Sequence, residues 1–399
     1  MSVSPGPLAG IRVIDVTTTV LGPYCTYLLG CLGAEVIKIE SPGGDIARAM
    51  RGAGEQRTYL LNRGKRSVVL DLKQPSAVEA LAALVATSDV FMHNLRASAA
   101  SRLGIDYEQV SGWNPSVIYC AATGFGEGGR YENLPAYDDI IQAVSGLAYL
   151  QRDDEGSPRY MNTVIADKTA GMSAVSGILA ALYHRERTGV GQMVNISMFE
   201  SLAAFVLVEH LQGMAVEPPS GPPGYTRVMS PHRRPYRTLD DRFVAVLPYT
   251  DAHWARACHL LGRPDLIDDP ELGRARERVR HVDRVYEVLA AYCASRTADD
   301  VVAEMRGTDI PCVEVNSLDD LLDDPHLHDV GFYDVTPADT MRHIESVPRF
   351  SATPTEHPQP GAILGEDSVA ILREVGLAQE AIDAMIASGA TVADGNDDR

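Results

Sequence analysis

Alternating strand and helix signals over the first 200 residues predict an α/β fold, a doubly wound, mostly parallel Rossmann-like sheet domain with a smaller α+β domain. Two further observations bound that reading. The chain has 399 residues, 45% of them hydrophobic, enough for two or three domains with a well-buried core. A proline- and glycine-rich segment, Glu217-Pro-Pro-Ser-Gly-Pro-Pro-Gly224, interrupts the regular pattern and reads as a linker.

Ile11 to Val16 is a β-branched run and reads as the first strand. A helix from Pro23 to Leu32, closed by Gly33, and a second strand from Ala34 to Glu40 follow. Further strands are expected at Ser67–Leu70, Val90–Met92, Val117–Cys120 and Val194–Ser197. Helices are expected at Ser76–Thr87, Asp138–Leu147, Lys168–Arg187 and from Met198 to about Met214. Beyond the linker, Tyr236 to Leu247 reads as a hairpin around Asp240-Asp241, with helices at Ala252–Leu261, Val282–Ala294 and Ala298–Met305. The expected organisation is a large domain over 1–216, the linker at 217–224 and a small domain over 225–329. Residues 330–399 then form a return segment whose helices, Asp367–Gly376 and Gln379–Ser388, complete the large domain, and Thr391 to Arg399 is expected to fray.

The net charge of −19 disfavours nucleic acid and anionic membranes as partners. Its distribution is uneven, because residues 1–105 carry 11 Lys and Arg against 8 Asp and Glu. Arg63, Lys65, Arg66 and Lys73 cluster there, followed by Arg96 and Arg102, so this region is the natural place for a small anionic ligand or, equally, a set of solvated surface charges. No apolar run approaches the ~20 residues that span a bilayer, and the start lacks a basic segment followed by an apolar core, so a cytoplasmic location is expected. Six cysteines without CxxC spacing read as buried thiols rather than a disulfide framework or zinc site.

The standard motifs are missing. Thr123-Gly-Phe-Gly-Glu-Gly-Gly129 follows a strand but does not open a helix, and the first strand turn lacks GxGxxG. GxxxxGK[ST] and GxSxG are also absent, and His326-Leu-His328 has no accompanying ligand set, so no metal is expected. Asp167 stands out instead. It lies at the start of the helical run of Met172, Val175, Ile178, Leu179 and Leu182, a place that suits an N-cap or a nucleophile held ionised by the helix terminus.

Several segments in order carry a resemblance. They are Leu8-Ala-Gly-Ile-Arg-Val-Ile-Asp15, Gly22-Pro23, Leu32-Gly-Ala-Glu-Val-Ile-Lys-Ile-Glu40, Asn62-Arg-Gly-Lys-Arg-Ser-Val-Val-Leu-Asp-Leu-Lys73, Ala136-Tyr-Asp-Asp-Ile140 with Ser145-Gly146, Ala166-Asp167, and Gly177-Ile-Leu-Ala-Ala-Leu182 with Thr188-Gly-Val-Gly-Gln-Met-Val194. Together they resemble family III CoA-transferases, the CaiB/BaiF family. The resemblance implies an acyl-CoA and a free carboxylic acid as substrates, no tightly bound cofactor, and Asp167 as the nucleophile that passes through a mixed anhydride and an aspartyl-CoA thioester. It places the ribose-phosphate and adenine contacts of CoA on Leu70, Lys73, Asn94, Leu95 and Arg102, and leads the pantetheine past Val20, Leu21, Ala136, Tyr137 and Asp138. Lys168 N–H or the amides after it are the expected oxyanion donors. An interlocked homodimer is also implied.

Two departures qualify the resemblance. Ser41 stands where some members have arginine, leaving that phosphate contact to Arg48, Arg63 or Arg66. The second domain lacks the glycine run that closes over the intermediate in formyl-CoA transferase-like members, so a small-dicarboxylate specificity like theirs is not expected. The racemase branch of the family needs a histidine where this chain has Tyr137, and a phenol of pKa near ~10 is a poor base near neutrality, which favours transfer. A non-catalytic CoA-binding protein is the third reading, opposed by the presence of Asp167, Lys73 and Arg102.

Overall fold

A computed structural model describes residues 6–49, 60–335, 342–344, 348–355 and 359–393. In chain order the first elements are β1 (Arg12–Val16), α1 (Leu21–Cys31), β2 (Glu35–Glu40), α2 (Ile46–Ala49), β3 (Lys65–Val69) and α3 (Pro75–Ala86). Then come β4 (Val90–His93), α4 (Ala97–Arg102), α5 (Tyr107–Trp113), β5 (Ile118–Thr123), α6 (Asp138–Val144), α7 (Leu147–Leu150), α8 (Ile165–Thr188), β6 (Gln192–Ser197) and α9 (Met198–His210). The six strands form one sheet in the order β3-β2-β1-β4-β5-β6, every pair parallel. This is the doubly wound arrangement expected from the sequence, in which the chain reverses direction across the sheet between β1 and β4.

Strand residues alternate between two cores. Ile14, Val16, Ile37 and Ile39 face one side with Leu81 and Leu84 of α3, whereas Val13, Val36, Met92 and Cys120 face the other with Leu29 of α1 and Ile178 of α8. Both faces are covered, so apolar strand residues point to both sides, and the charged strand residues Asp15, Lys38, Glu40 and Lys65 are buried as well.

A second compact unit contains Leu207–Val330 and Arg152–Ser157. Its elements are α10 (Thr226–Met229), β7 (Tyr236–Arg237), β8 (Phe243–Val246), α11 (Asp251–Leu260), α12 (Ala275–Arg280), α13 (Val282–Cys293), α14 (Ala298–Arg306), β9 (Cys312–Glu314), α15 (Leu318–Leu322) and α16 (Pro325–Asp329). The three strands pair antiparallel in the order β7-β8-β9 over a core that includes Trp254 and Leu289. The hairpin turns at Asp241, whose φ is +61°.

The chain after Gly331 returns to the large unit as β10 (Tyr333–Val335), β11 (Arg342–Ile344), α17 (Ser368–Glu374) and α18 (Gln379–Ser388). It covers the open edge of β3. Ser67 N–H donates to Asp367 at 2.9 Å, Val69 N–H donates to Ser368 Oγ at 3.1 Å, and Thr391 Oγ1 donates to Val69 O at 2.7 Å. Unpaired strand groups are thereby removed from the surface. Thr391 is accordingly buried, a correction to the frayed end expected from residue 391; residues 394–399 lie outside the described residues.

Three other sequence expectations change. The helix expected over Asp138–Leu147 breaks into α6 and α7 at Gly146, whose φ of +85° a helix cannot accommodate. The helix expected to reach about Met214 stops at His210, two residues before Gln212 adopts φ +43°. Helices α4 and α5 were not legible, because Ala97-Ser-Ala-Ala-Ser-Arg102 carries no apolar period. All six cysteines are buried and free.

Candidate active site

A cleft of about 480 Å3 opens at the carboxyl ends of β1, β4 and β5, where an open α/β sheet with this strand order leaves a crevice. It is lined by the turn after β1 (Thr18 to Leu21), the start of the loop after β4 (Asn94 to Arg96), Arg102 of α4, Gly124 after β5, Pro135 to Tyr137, and Asp167. Seven of the residues that the resemblance placed around CoA, Val20, Leu21, Asn94, Leu95, Arg102, Ala136 and Tyr137, therefore share one cleft with Asp167. Leu70, Lys73 and Asp138 do not line it. Leu70 is buried at the end of β3, Lys73 is exposed beyond it, and Asp138 is buried behind the cleft wall.

The turn after β1 is held from below by buried charges. Lys38 Nζ donates to Thr17 O at 2.7 Å and pairs with Asp45 at 3.2 Å. Asp45 in turn accepts Thr19 N–H at 3.1 Å, fixing Thr19 at φ +71°, a conformation that costs a non-glycine residue about 1–3 kcal/mol. Asp15 lies deeper. Burial pushes its carboxyl up, but Lys65 at 2.9 Å, Lys38 and the hydroxyls of Thr17 and Thr26 together hold it below the ordinary range. From the β4 side Asn94 clamps the turn, accepting Thr18 N–H at 3.0 Å and donating to Thr18 O at 2.8 Å. Its amide is thus occupied within the protein. Beneath Leu95, His93 Nδ1 accepts Leu95 N–H at 3.1 Å, so Nε2 carries the proton toward Tyr119 at 2.7 Å, and burial lowers this histidine to about 4.

Asp167 is the third residue of α8, not its cap, which is Val164. The missing side-chain cap comes from another helix. Asp138, at the start of α6, accepts Ala166 N–H at 2.7 Å and Asp167 N–H at 3.1 Å on one oxygen and Gln142 Nε2 at 2.6 Å on the other. Gln142 also accepts Met161 N–H at 2.9 Å, tying down the loop that enters α8. Ile165 N–H goes to Thr163 O at 2.8 Å and Lys168 N–H to Val164 O at 3.2 Å. All four first-turn donors of α8 are taken, so the Lys168 amide is not open to an oxyanion as expected.

The expectation that the helix terminus keeps Asp167 ionised is also corrected. Burial, and secondarily the Asp138 carboxylate, push Asp167 up to about 7, against a backbone hydrogen bond from Leu21 that lowers it. Leu21 is the first residue of α1, so the helix end that meets this carboxylate belongs to α1 rather than α8. The two helices approach closely because position 171 is glycine; a Cβ there would lie 3.0 Å from Leu21 O and 2.9 Å from the Tyr24 ring.

The early basic cluster separates into two sets. Lys65, Arg48 and Arg66 are engaged by Asp15, Glu40, and Glu35 with Glu374, respectively, and Arg63 is buried. Burial lowers Lys65 to about 8 despite Asp15. Arg96 and Arg102 are exposed on the cleft rim with no ion pair among the described residues. Among the described residues no three His, Cys, Asp or Glu side chains gather to hold a metal, and no helix is long and apolar enough to cross a membrane.

A family model described as CoA-transferase family III matches residues 8–368. The chain belongs to that family. One relative, the beta subunit of succinyl-CoA–L-malate CoA-transferase from Chloroflexus aurantiacus, is 34% identical over 392 residues, covering 94% of this chain and 96% of its own. Succinate–glutarate CoA-transferase from Agrobacterium fabrum is 31% identical over 92% of this chain and 96% of its own. A solved structure of a CaiB/BaiF family protein from Brucella suis superposes with a TM-score of 0.78 at 27% identity, covering 93% of this chain and all of that one.

Sequence reading missed several cleft residues of this family III protein. Thr18, Thr19, Glu132, Leu134 and Met198 line the cleft without any motif to announce them. Gly124 had a signal, the glycine-rich run after β5, but not its reason: a Cβ there would fall 2.2 Å from the Ala136 Cβ, so glycine is what lets the 135–137 segment close over the strand end.

Proposed function

We propose that this family III protein moves CoA from an acyl-CoA donor to a free carboxylic acid with Asp167 as nucleophile. The observation that carries the reading is Asp167 in a cleft with uncompensated cations on its rim and the start of α1 against its carboxylate. A carboxylate oxygen of Asp167 attacks the thioester carbonyl; the C–S bond breaks, giving CoA thiolate and an acyl-aspartyl anhydride. The thiolate then attacks the aspartyl carbonyl, releasing the donor acid and leaving an aspartyl-CoA thioester. The acceptor carboxylate reverses the sequence. No proton is gained or lost, which suits a cleft whose nucleophile needs only to be ionised. Leu21 N–H, whose hydrogen bond lowers the Asp167 pKa, would stabilise negative charge on an Asp167-derived carbonyl oxygen.

Arg96 and Arg102 would take the CoA phosphates, bidentate geometry favouring guanidinium for that task. The end of β3, where Lys73 follows, lies two strands from β1, about 10 Å across the sheet, within the span of an extended CoA. The relatives carry names that pair succinyl-CoA or succinate with L-malate, glutarate or mesaconate, all dicarboxylic acids, which argues against excluding such substrates for want of a glycine-rich lid. Succinyl-CoA with these acids is therefore the first pair to assay. Asp167→Ala should lower transfer at least about a thousandfold while leaving CoA binding within a few-fold; retained turnover would overturn the reading.

A further inference from the structure

The small unit contains a separate cavity of about 170 Å3 between the end of β8, the loop that follows it, and α12 and α13. Val246, Leu247, Val282, Val285 and Leu289 make its walls apolar. Its charged groups are two arginines in different states. Arg278 is buried and compensated: it donates to Asp251 at 2.7 Å and to Leu272 O at 2.9 Å, and its guanidinium lies 5.5 Å from the centre of the Trp254 ring. Arg227 has no carboxylate partner among the described residues. Its guanidinium sits 5.7 Å from the centre of the Tyr249 ring, and the Tyr286 hydroxyl donates to the Arg227 backbone carbonyl at 3.5 Å, which holds this residue at the cavity without neutralising it.

An uncompensated guanidinium held against an apolar chamber is complementary to a carboxylate on an apolar body. The planar fork of donors matches carboxylate oxygens, and the aliphatic walls favour a hydrocarbon or aromatic remainder. The volume is below the roughly 300–1,000 Å3 of sites for drug-sized ligands, so the ligand must be small. We propose that this cavity binds a small monocarboxylate with an apolar or aromatic body, its carboxylate on Arg227 and its body among Val246, Val282, Val285 and Leu289. All lining residues belong to the small unit, so the proposal stands apart from the chemistry of Asp167.

Titration calorimetry on the full chain with benzoate and hexanoate, against benzamide as the uncharged control, tests it. Trp254 fluorescence gives a second signal, because Arg278 joins that ring to the cavity wall. Benzoate should bind at least about tenfold more tightly than benzamide in the wild-type protein, a comparison that needs no variant. Arg227→Gln should lose most of that preference, Val285→Trp should abolish binding by filling the chamber, and Arg102→Gln, in the other cleft, should leave it unchanged. Equal binding of benzoate and benzamide, indifference to Arg227→Gln, or loss on Arg102→Gln would each overturn the proposal.

Discussion

The nucleophilic role proposed for Asp167 sets opposing demands, since burial and the Asp138 carboxylate favour its neutral form and a nucleophile must be ionised. At about 7 its titration falls where an assay can see it, so transfer should rise with pH through that value. The same shift bears on stability. Because the folded pKa lies above the ordinary ~3.9, the protonated side chain stabilises the fold fully below about pH 4, and this contribution is lost as pH rises through about 7. Asp167→Asn, which cannot ionise, should therefore melt at a higher temperature than wild type at pH 8 and at nearly the same temperature at pH 4; a gap independent of pH would contradict the assignment. Asp138→Asn removes the neighbouring charge while keeping an acceptor for the α8 amides. The pH midpoint of transfer should then fall, and the melting temperature should drop as well, because the new amide nitrogen would face Gln142 Nε2, which donates to Asp138 at 2.6 Å. The acidic pair at 138 and 167 was visible in the sequence, but its geometry was not, because it depends on α6 delivering Asp138 to the end of a helix 29 residues away.

At the scale of elements, the site depends on how closely α1 and α8 approach. Gly171→Ala would set a Cβ against Leu21 O and the Tyr24 ring and push α1 away from Asp167. The stability cost of overpacking, about 1–3 kcal/mol, is partly offset by about 1 kcal/mol of helix propensity. Activity is the sharper measure. In the proposed reaction, displacing the Leu21 N–H from the Asp167 carboxylate should lower kcat by at least about tenfold, with CoA binding retained; unchanged kcat would show that α1 does not serve the reaction. The sheet strands and the long α8 were readable because β-branched residues recur in most of the strands and a sustained helical period is ended by Gly189. The short α4 was not, and it carries Arg102 to the cleft.

For the whole molecule, the parallel order of the sheet followed from the alternation of strands and helices, while the fate of its charges did not. Lys65 finds Asp15 50 residues away and Arg66 finds Glu374 308 residues away, pairings that only the tertiary fold creates. Local clustering therefore identified more candidate phosphate ligands than the fold leaves exposed. The family resemblance points to a homodimer, and light scattering should return about twice the 43.1 kDa of one chain; a monomer at micromolar concentration would refute it. The proposed reaction turns on covalent chemistry at Asp167. Intact-protein and peptide mass spectrometry after incubation with succinyl-CoA, with and without hydroxylamine, measures it directly. A CoA adduct confined to the Asp167 peptide, removed by hydroxylamine and missing in Asp167→Ala, is predicted; CoA transfer to an acceptor acid that proceeds unchanged in Asp167→Ala would contradict it.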